Sequence, residues 1–147
     1  MNMIFRVIAS LIVVLVTMPI FALAQVAVIV HKSNAINNVS TADMKNIYTG
    51  DMTKFASGSN ITIVTYKSDT DSRKKFYGAI GKKYTECQSA ILKRMMNDGL
   101  KPPVAFDNED DVFAFVAKTP GAIGFVSSSA VNSSVKVITI DGKKQLD

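Results

Sequence analysis

Apolar residues recur with two different periods along residues 26–140, and the two periods predict two kinds of element. Continuous β-branched runs predict strands at 26–30, 61–66, 122–126 and 135–140, with a short strand or an extended crossing at 104–106. Apolar residues spaced three and four apart predict helices from Ser40 to Gly50, from Ser72 past Ile80, over 84–98, and from Asn108 past Val116. Strands alternate with helices, so the fold class is α/β, with a small mixed sheet flanked by helices.

The strands differ in how much of their surface we expect to be covered. The run at 26–30 is apolar throughout, which is typical of a strand covered on both faces, as in a parallel sheet. The run at 135–140 alternates apolar and polar residues and is predicted to be a more exposed edge strand. Residues 143–147 are predicted to form a loose tail.

The first 24 residues have the pattern of a secretory signal peptide. A short segment with one positive charge, Arg6, precedes an apolar run that is soon broken by Pro19. Residues 22–24 read Ala-Leu-Ala, which predicts cleavage between Ala24 and Gln25. The run is short for a membrane span. We therefore expect a single domain at 25–147, secreted to the periplasm, that is not an integral membrane protein after cleavage.

Composition narrows the chemistry that the chain can carry. The net charge of +5 favours an anionic partner, but there is no basic tract with interleaved aromatic residues, so nucleic acid is not expected. His31 is the only histidine and Cys87 the only cysteine, so a zinc or copper site lacks ligands and no intrachain disulfide can form. Cys87 is predicted to be a core residue. No metal, cofactor or enzymatic activity is expected, because no nucleophile elbow with its partners is present.

Hydroxyl and acidic side chains lie between the strand at 61–66 and the helix predicted to begin at Ser72. The first N–H groups of a helix have no intrahelical acceptor, and the helix dipole is positive there, so this loop suits an oxyanion. Ser, Thr and Asp are also the ordinary N-cap residues, so helix capping and anion binding both remain open.

A second acidic segment, residues 108–111, opens the last predicted helix. Its carboxylates suit the positive helix terminus. A calcium site is not expected, because the oxygen spacing and the turn glycine of an EF-hand loop are missing.

Four segments, taken in order, resemble the periplasmic phosphate-binding protein of phosphate ABC transporters. Residues 26–34 read VAVIVHKSN, 46–50 NIYTG, 70–76 TDSRKKF and 119–126 TPGAIGFV. The family typically has an apolar strand with an Asn-rich turn, then IF-x-G, SGT-R-x-x-F and PGAIGYV. The resemblance implies a periplasmic-binding-protein fold, here as a single lobe, because the sequence has about half the family's length.

The resemblance also implies a mechanism and a set of site residues. In the family, phosphate is held between two closing lobes by hydroxyl and backbone N–H donors, an arginine and an acidic residue, and is then delivered to a membrane permease. On this chain the implied anion-binding residues are Ser68, Thr70, Asp71, Ser72 and Arg73.

Two substitutions depart from the family pattern. Asp71 stands where the family has glycine, and Phe125 stands where it has tyrosine. A carboxylate at 71 repels a dianion unless it accepts the phosphate proton or points away.

Two functions therefore remain open. One is a secreted binding protein for phosphate or a similar oxyanion, serving uptake or sensing, with an ABC permease or a second copy supplying the other wall. The other is a degenerate lobe that docks to an envelope partner without binding an anion independently.

Overall fold

The computed structural model describes residues 25–147, which form one mixed sheet with helices packed against it. The predicted signal peptide and its cleavage site lie outside the described residues. In chain order the elements are β1 (Val26–Val30), β2 (Asn38–Val39), α1 (Thr41–Tyr48), β3 (Thr62–Tyr66), α2 (Asp71–Ala79), α3 (Tyr84–Asp98), β4 (Val104–Phe106), α4 (Glu109–Lys118), β5 (Ala122–Ser127), a 3₁₀ turn (Ser128–Ala130) and β6 (Lys136–Ile140). The predicted α/β class is confirmed.

The six strands lie in the order β2-β6-β1-β5-β3-β4. β3 pairs in parallel with both β4 and β5, whereas β1 is antiparallel to both of its neighbours, β5 and β6. β1 is buried throughout, as predicted, but its neighbours are not the parallel ones that its composition indicated. Burial depends on which layers cover a strand and not on the direction of the strands beside it.

Two predictions near the C-terminus are wrong. β6 is not an edge strand, because the two-residue strand β2 pairs with it on the outer side. β2 is too short to show any periodicity in the sequence. The tail is not loose either: Leu146 is buried and exchanges backbone hydrogen bonds with Val26, at 2.8 and 3.0 Å.

Aromatic rings fill the core between the sheet and helices α1 and α2. The rings of Phe76 and Phe125 stack with centroids 4.0 Å apart, and Tyr48 packs against both. The buried Tyr48 hydroxyl donates to the carbonyl of Val64 at 3.0 Å, so its polar end is satisfied inside the core. These contacts fix α2 against β3 and β5, the two strands whose ends carry the candidate site.

The length and composition of the described helices bear on whether any of them could span a membrane. Between residues 25 and 147, no helix combines the length and the apolar character needed to cross a bilayer.

Gly121, in the turn between α4 and β5, lies against the backbone that leads into β3. It has φ +86°, its carbonyl accepts from the amide of Thr62 at 2.8 Å, and a Cβ there would overlap the carbonyl oxygen of Asn60. We expect Gly121→Ala to lower the free energy of unfolding by about 3 kcal/mol or more. The alanine would have to adopt a strained positive φ, and the backbone at Asn60 would have to move away from the new Cβ. Urea denaturation measures this.

Gly58 is the matched control for Gly121. It has φ +87°, and no atom lies within 4 Å of the position that a Cβ would take, so Gly58→Ala carries only the conformational cost of about 1 kcal/mol. Equal losses in the two variants would contradict the close approach at Gly121.

The burial of Cys87 predicts how the stability of the fold changes at high pH. The side chain is buried, as predicted from the sequence, and burial raises the pKa of its thiol from 9.0 to about 11. Between these two values the folded protein keeps a proton that the unfolded chain loses. The stabilisation is therefore complete below pH 9 and falls as the pH rises towards 11, by up to about 2–3 kcal/mol.

We expect the free energy of unfolding of the wild type, measured in urea with a reductant, to fall more steeply from pH 8 to 10.5 than that of Cys87→Ala. The same tyrosines are present in both proteins, so the difference between the two profiles reports the thiol together with its charge coupling to Tyr48 and Tyr77. Parallel pH profiles for the two proteins would contradict the assignment.

Candidate functional site

The carboxyl ends of β3, β4 and β5 lie at the same edge of the sheet because these strands run parallel. We call this edge, with the residues that follow each strand, the carboxyl edge. Residues 67–70 lead from β3 into α2, residues 107–108 lead from β4 into α4, and β5 runs into the 3₁₀ turn. Ligands of open α/β sheets bind beyond the carboxyl ends of strands, so the carboxyl edge is the position where a site is expected.

Thr70 caps the N-terminus of α2 at this edge. Its backbone is extended, with φ −73° and ψ 160°, and its hydroxyl oxygen accepts from the amide of Arg73 at 3.1 Å. The helix therefore begins at Asp71, one residue earlier than predicted. A threonine hydroxyl that accepts one bond keeps its proton for another acceptor, so capping and ligand binding are compatible here.

The first two amides of α2 are the other donors at this terminus. A helix has no internal acceptor for its first N–H groups, and the hydrogen bonds within residues 25–147 use neither the Asp71 nor the Ser72 amide. Together with the Thr70 hydroxyl they form a set of three neutral donors at the positive end of a helix dipole. The Asp71 residue is exposed beside them. Such a set binds an oxyanion through hydrogen bonds rather than through a full positive charge.

Arg73, which the resemblance implied to be an anion-binding residue, makes its contacts within the chain. Its side chain is only 11% exposed, and its Nη1 donates to the carbonyls of Lys67 at 3.2 Å and Tyr66 at 3.4 Å. The guanidinium lies 3.8 Å from the centre of the Tyr84 ring and 3.4 Å from a carboxylate oxygen of Asp69. Its buried Nε has no acceptor among the described residues. The guanidinium thus ties the end of β3 to the start of α3.

Ser72 is hydrogen-bonded to Glu109, which lies outside the predicted set of site residues. Its hydroxyl donates to Oε1 of Glu109 at 2.9 Å, and the same oxygen accepts from the amide of Ser127 at 2.7 Å. The Ser127 hydroxyl donates to Oε2 of Glu109 at 2.7 Å. Glu109 opens α4, and the three residues come from three different segments of the carboxyl edge. We call these three side chains and the Ser127 amide the Glu109 network.

The sequence contained only an indirect sign of the Glu109 network. Glu109 stood in the acidic segment that suits a helix terminus, and Asn108 does cap α4 by accepting from the amide of Asp111 at 2.9 Å. Nothing in the spacing of residues 72, 109 and 127 shows that they meet, because the parallel pairing of the strands brings them together.

Tyr66, the last residue of β3, lies within the electrostatic reach of the Glu109 network. Burial raises the pKa of its phenol well above the usual value of 10.0, and the Glu109 carboxylate raises it further. The phenol donates to the carbonyl of Phe125 at 2.7 Å. Tyr66 is therefore a neutral, structural residue under the site.

The carboxyl edge carries more negative than positive charge, with four basic and two acidic residues at 67–75 and four acidic residues at 107–111. Asp69 lies 3.4 Å from Arg73 and 3.6 Å from Lys74, and Lys67 lies 3.7 Å from Asp107. Apart from Arg73, these side chains are well exposed, so the pairs made by Lys67 and Lys74 contribute about 0–1 kcal/mol each. Ser68, the remaining predicted residue, is exposed in the loop between Lys67 and Asp69. No excess of positive charge thus attracts an anion here.

Phe125, the second departure from the family pattern, lies in the core and not at the edge. Its ring is fully buried against Phe76.

No group of metal ligands is present in the described part of the chain. Within residues 25–147, no three His, Cys, Asp or Glu side chains are grouped so that they could hold an ion.

A concave surface apart from the carboxyl edge, the α3 groove, lies between α3 and the β3–β4 side of the sheet. Its volume is about 350 Å³ and its lining is mainly apolar, including Ile63, Tyr77, Ile91 and Met95. Leu92, also part of the lining, is 55% exposed, and Met96 of α3 is 76% exposed. Large apolar side chains grouped on a surface are typical of protein contacts.

Comparison with solved structures places this fold among phosphate-transport binding proteins, although no family model matches the sequence. A Clostridium perfringens protein described as a phosphate ABC transporter substrate-binding protein with bound phosphate has 25% identity and a TM-score of 0.68, over 82% of this chain and 46% of that one. A Vibrio cholerae ABC-type phosphate transport receptor has 20% identity and a TM-score of 0.65, over 80% and 46%. PstS from Borrelia burgdorferi has 12% identity and a TM-score of 0.62, over 82% and 48%.

The chain therefore spans about half the length of the solved structures that it matches. The second and third likenesses, at their low identities, show the fold alone. The predicted periplasmic-binding-protein-like fold is confirmed, in the form of a single lobe.

The contacts of Arg73 predict that its loss weakens the fold. We expect Arg73→Ala to lower the free energy of unfolding by about 1.5–3 kcal/mol, because two carbonyls lose a charged donor and Tyr84 loses its stacking partner. Lys74→Ala is the control, since Lys74 also pairs with Asp69 but is 60% exposed, and we expect a change within about 0.5 kcal/mol. Similar denaturation midpoints for the two variants would contradict a structural role for Arg73.

Proposed function

We propose that this chain, which has the fold of one lobe of a phosphate ABC transporter substrate-binding protein, binds phosphate or a similar oxyanion at the N-terminus of α2. The observation that carries the proposal is the set of three unused donors at the carboxyl edge, namely the Thr70 hydroxyl and the amides of Asp71 and Ser72. We further propose that binding serves uptake or sensing outside the cytoplasm, in keeping with the predicted signal peptide.

Neutral donors account for how such a site would work. An oxyanion takes two or three short hydrogen bonds from the helix terminus and gains from the helix dipole, without requiring Arg73 to leave its structural contacts. The exposed Asp71 carboxylate opposes a dianion, unless the bound species carries a proton that it can accept. We therefore expect weak binding by the chain alone.

A second wall would strengthen the binding. An oxyanion at this edge is open to water on one side, and hydrogen bonds to ions gain most where water is excluded. A second lobe, a second copy of the chain or a permease could cover it. The proposal includes no reaction: the Clostridium and Vibrio proteins are described as a binding protein and a receptor.

A docking module is the second candidate, and specific observations favour it. The Arg73 guanidinium and the Ser72 hydroxyl are already engaged within the chain, and the carboxyl edge has no positive excess. The exposed Leu92 and Met96 beside the α3 groove offer an apolar surface to a protein partner. In this case the lobe would act in the envelope without binding an anion independently.

Isothermal titration of phosphate into the purified protein at low salt, with sulfate as the comparison ligand, separates the two candidates. We expect saturable binding of phosphate, with dimerisation in light scattering if a second copy supplies the wall. No heat at millimolar phosphate from a folded protein would contradict the binding proposal and favour the docking module.

Asp71→Asn sharpens the titration. It keeps the amide donor and removes the like charge, so we expect phosphate binding several-fold tighter than in the wild type. Asp43→Asn is the matched control, because Asp43 is an exposed acidic residue in the first turn of a different helix, α1. Equal effects of the two substitutions would indicate a general charge effect instead of a site at α2.

A further inference from the structure

The Glu109 carboxylate is held by donors of the kind that hold a bound oxyanion. Two hydroxyls and one backbone amide donate to it, at 2.9, 2.7 and 2.7 Å. The residue is partly buried, and it lies at the N-terminus of α4, where a negative charge is stabilised. Charge-assisted hydrogen bonds of this length are among the stronger polar contacts in proteins.

The Glu109 network determines what Ser72 can offer to a ligand. A serine hydroxyl has one proton, and the proton of Ser72 is donated to Glu109. Ser72 therefore presents only lone pairs to an incoming oxyanion, although its own amide is one of the three proposed donors. The same holds for Ser127, whose amide and hydroxyl both serve Glu109.

We propose that Glu109 is an affinity-determining residue: a resident anion that competes with the external oxyanion for the hydroxyl of Ser72 and for the donors of Ser127. An external oxyanion gains these donors only when the carboxylate is displaced or removed. That an external oxyanion binds here rests on the function proposed above. That these donors bind a carboxylate follows from the three contacts alone.

Charge acts in the same direction as the competition for donors. Glu109 is one hydrogen bond from Ser72, whose amide belongs to the proposed donor set, so an oxyanion at the start of α2 would lie close to the carboxylate. Two anions in one partly buried site repel each other. Removing the charge therefore both frees donors and lowers the repulsion.

A purely structural role for Glu109 gives the opposite expectation. If the carboxylate only joined α2, α4 and β5, its removal would loosen the carboxyl edge and weaken the binding of any ligand there. The direction of the change in phosphate affinity therefore separates a competing anion from a structural tie.

The test is titration of inorganic phosphate, at fixed ionic strength, into the wild type, Glu109→Ala and Glu109→Gln. We expect Glu109→Ala to bind phosphate about tenfold tighter or more, since each tenfold change corresponds to about 1.4 kcal/mol. Glu109→Gln keeps an acceptor for the Ser127 amide and removes only the charge, so we expect a smaller gain from it. Sodium acetate, as a replacement carboxylate, should raise the melting temperature of Glu109→Ala and leave that of the wild type unchanged.

Asp110→Ala is the matched control. Asp110 is exposed and also lies in the first turn of α4, so its removal lowers the negative charge of the same helix terminus without touching Ser72 or Ser127. A gain in phosphate affinity as large as that of Glu109→Ala would overturn the proposal, because it would show a general effect of charge.

The remaining outcomes separate this inference from the proposed function. Phosphate binding by Glu109→Ala but not by the wild type supports the resident anion and contradicts phosphate binding by the native chain. Binding by the wild type that neither Glu109 variant tightens overturns the resident anion alone. The absence of phosphate binding in all three folded proteins overturns both. If Glu109→Ala does not fold, Glu109→Gln decides: an affinity no tighter than that of the wild type overturns the inference.

Discussion

The parallel pairing of β3 with β4 and β5 is the constraint on which the candidate site depends. Parallel strands end at the same edge, so the residues that follow them, and the helices that those residues begin, must meet there. Residues 72, 109 and 127, which the sequence separates by 37 and 18 positions, become hydrogen-bonded neighbours for this reason. β1 runs antiparallel to β5, so its first residue, Val26, lies opposite Ser127 at this edge, and the Gln25 carbonyl accepts from the Ser128 amide at 2.8 Å.

Hydrogen bonding, rather than net charge, dominates the chemistry of this edge. The positively charged side chains are paired with carboxylates or committed to carbonyls, as in the contacts of Arg73 with Tyr66, Lys67 and Asp69. The sequence's net charge of +5 therefore does not translate into a positive field at the site. The hydrogen-bond donors that remain for a ligand are neutral: the amides of Asp71 and Ser72 and the hydroxyl of Thr70. Neutral donors favour an anion through geometry, and their effect grows when water is excluded.

Local signals in the sequence predicted the elements well, whereas the anion site at residues 68–73 stays a prediction. Hydrophobic periodicity predicted α2, α3 and α4 to within a residue or two, because it is a property of neighbouring residues. The loop at 68–73 can be singled out from the sequence because strand, hydroxyls and helix are consecutive. The inward turn of Arg73 was missed, since it depends on the carbonyls at the end of β3 and on Tyr84. Contacts between distant segments leave no periodic trace.

The position of β6 and the pairing of Leu146 show the same limit for the sheet. The alternation of apolar and polar residues at 135–140 predicts an edge strand, yet a two-residue strand suffices to pair with its outer side. A polar tail reads as loose, yet one apolar side chain and two backbone hydrogen bonds fix it beside Val26. In both cases a small number of long-range hydrogen bonds overrides a local pattern, because an unpaired strand offers donors and acceptors to any segment that can reach it.

An open edge also explains why a carboxylate of the chain itself is useful at this position. A partly buried amide and two hydroxyls without acceptors would cost about 1–3 kcal/mol each if left unsatisfied. Glu109 satisfies them in the absence of any ligand, and so stabilises the junction of α2, α4 and β5. The consequence is that an external oxyanion gains the Ser72 hydroxyl and the Ser127 donors only if it binds them more strongly than Glu109 already does. On a single lobe it is poorly placed to do so, because water competes for it; a second wall that excludes water strengthens its hydrogen bonds and shifts the competition in its favour.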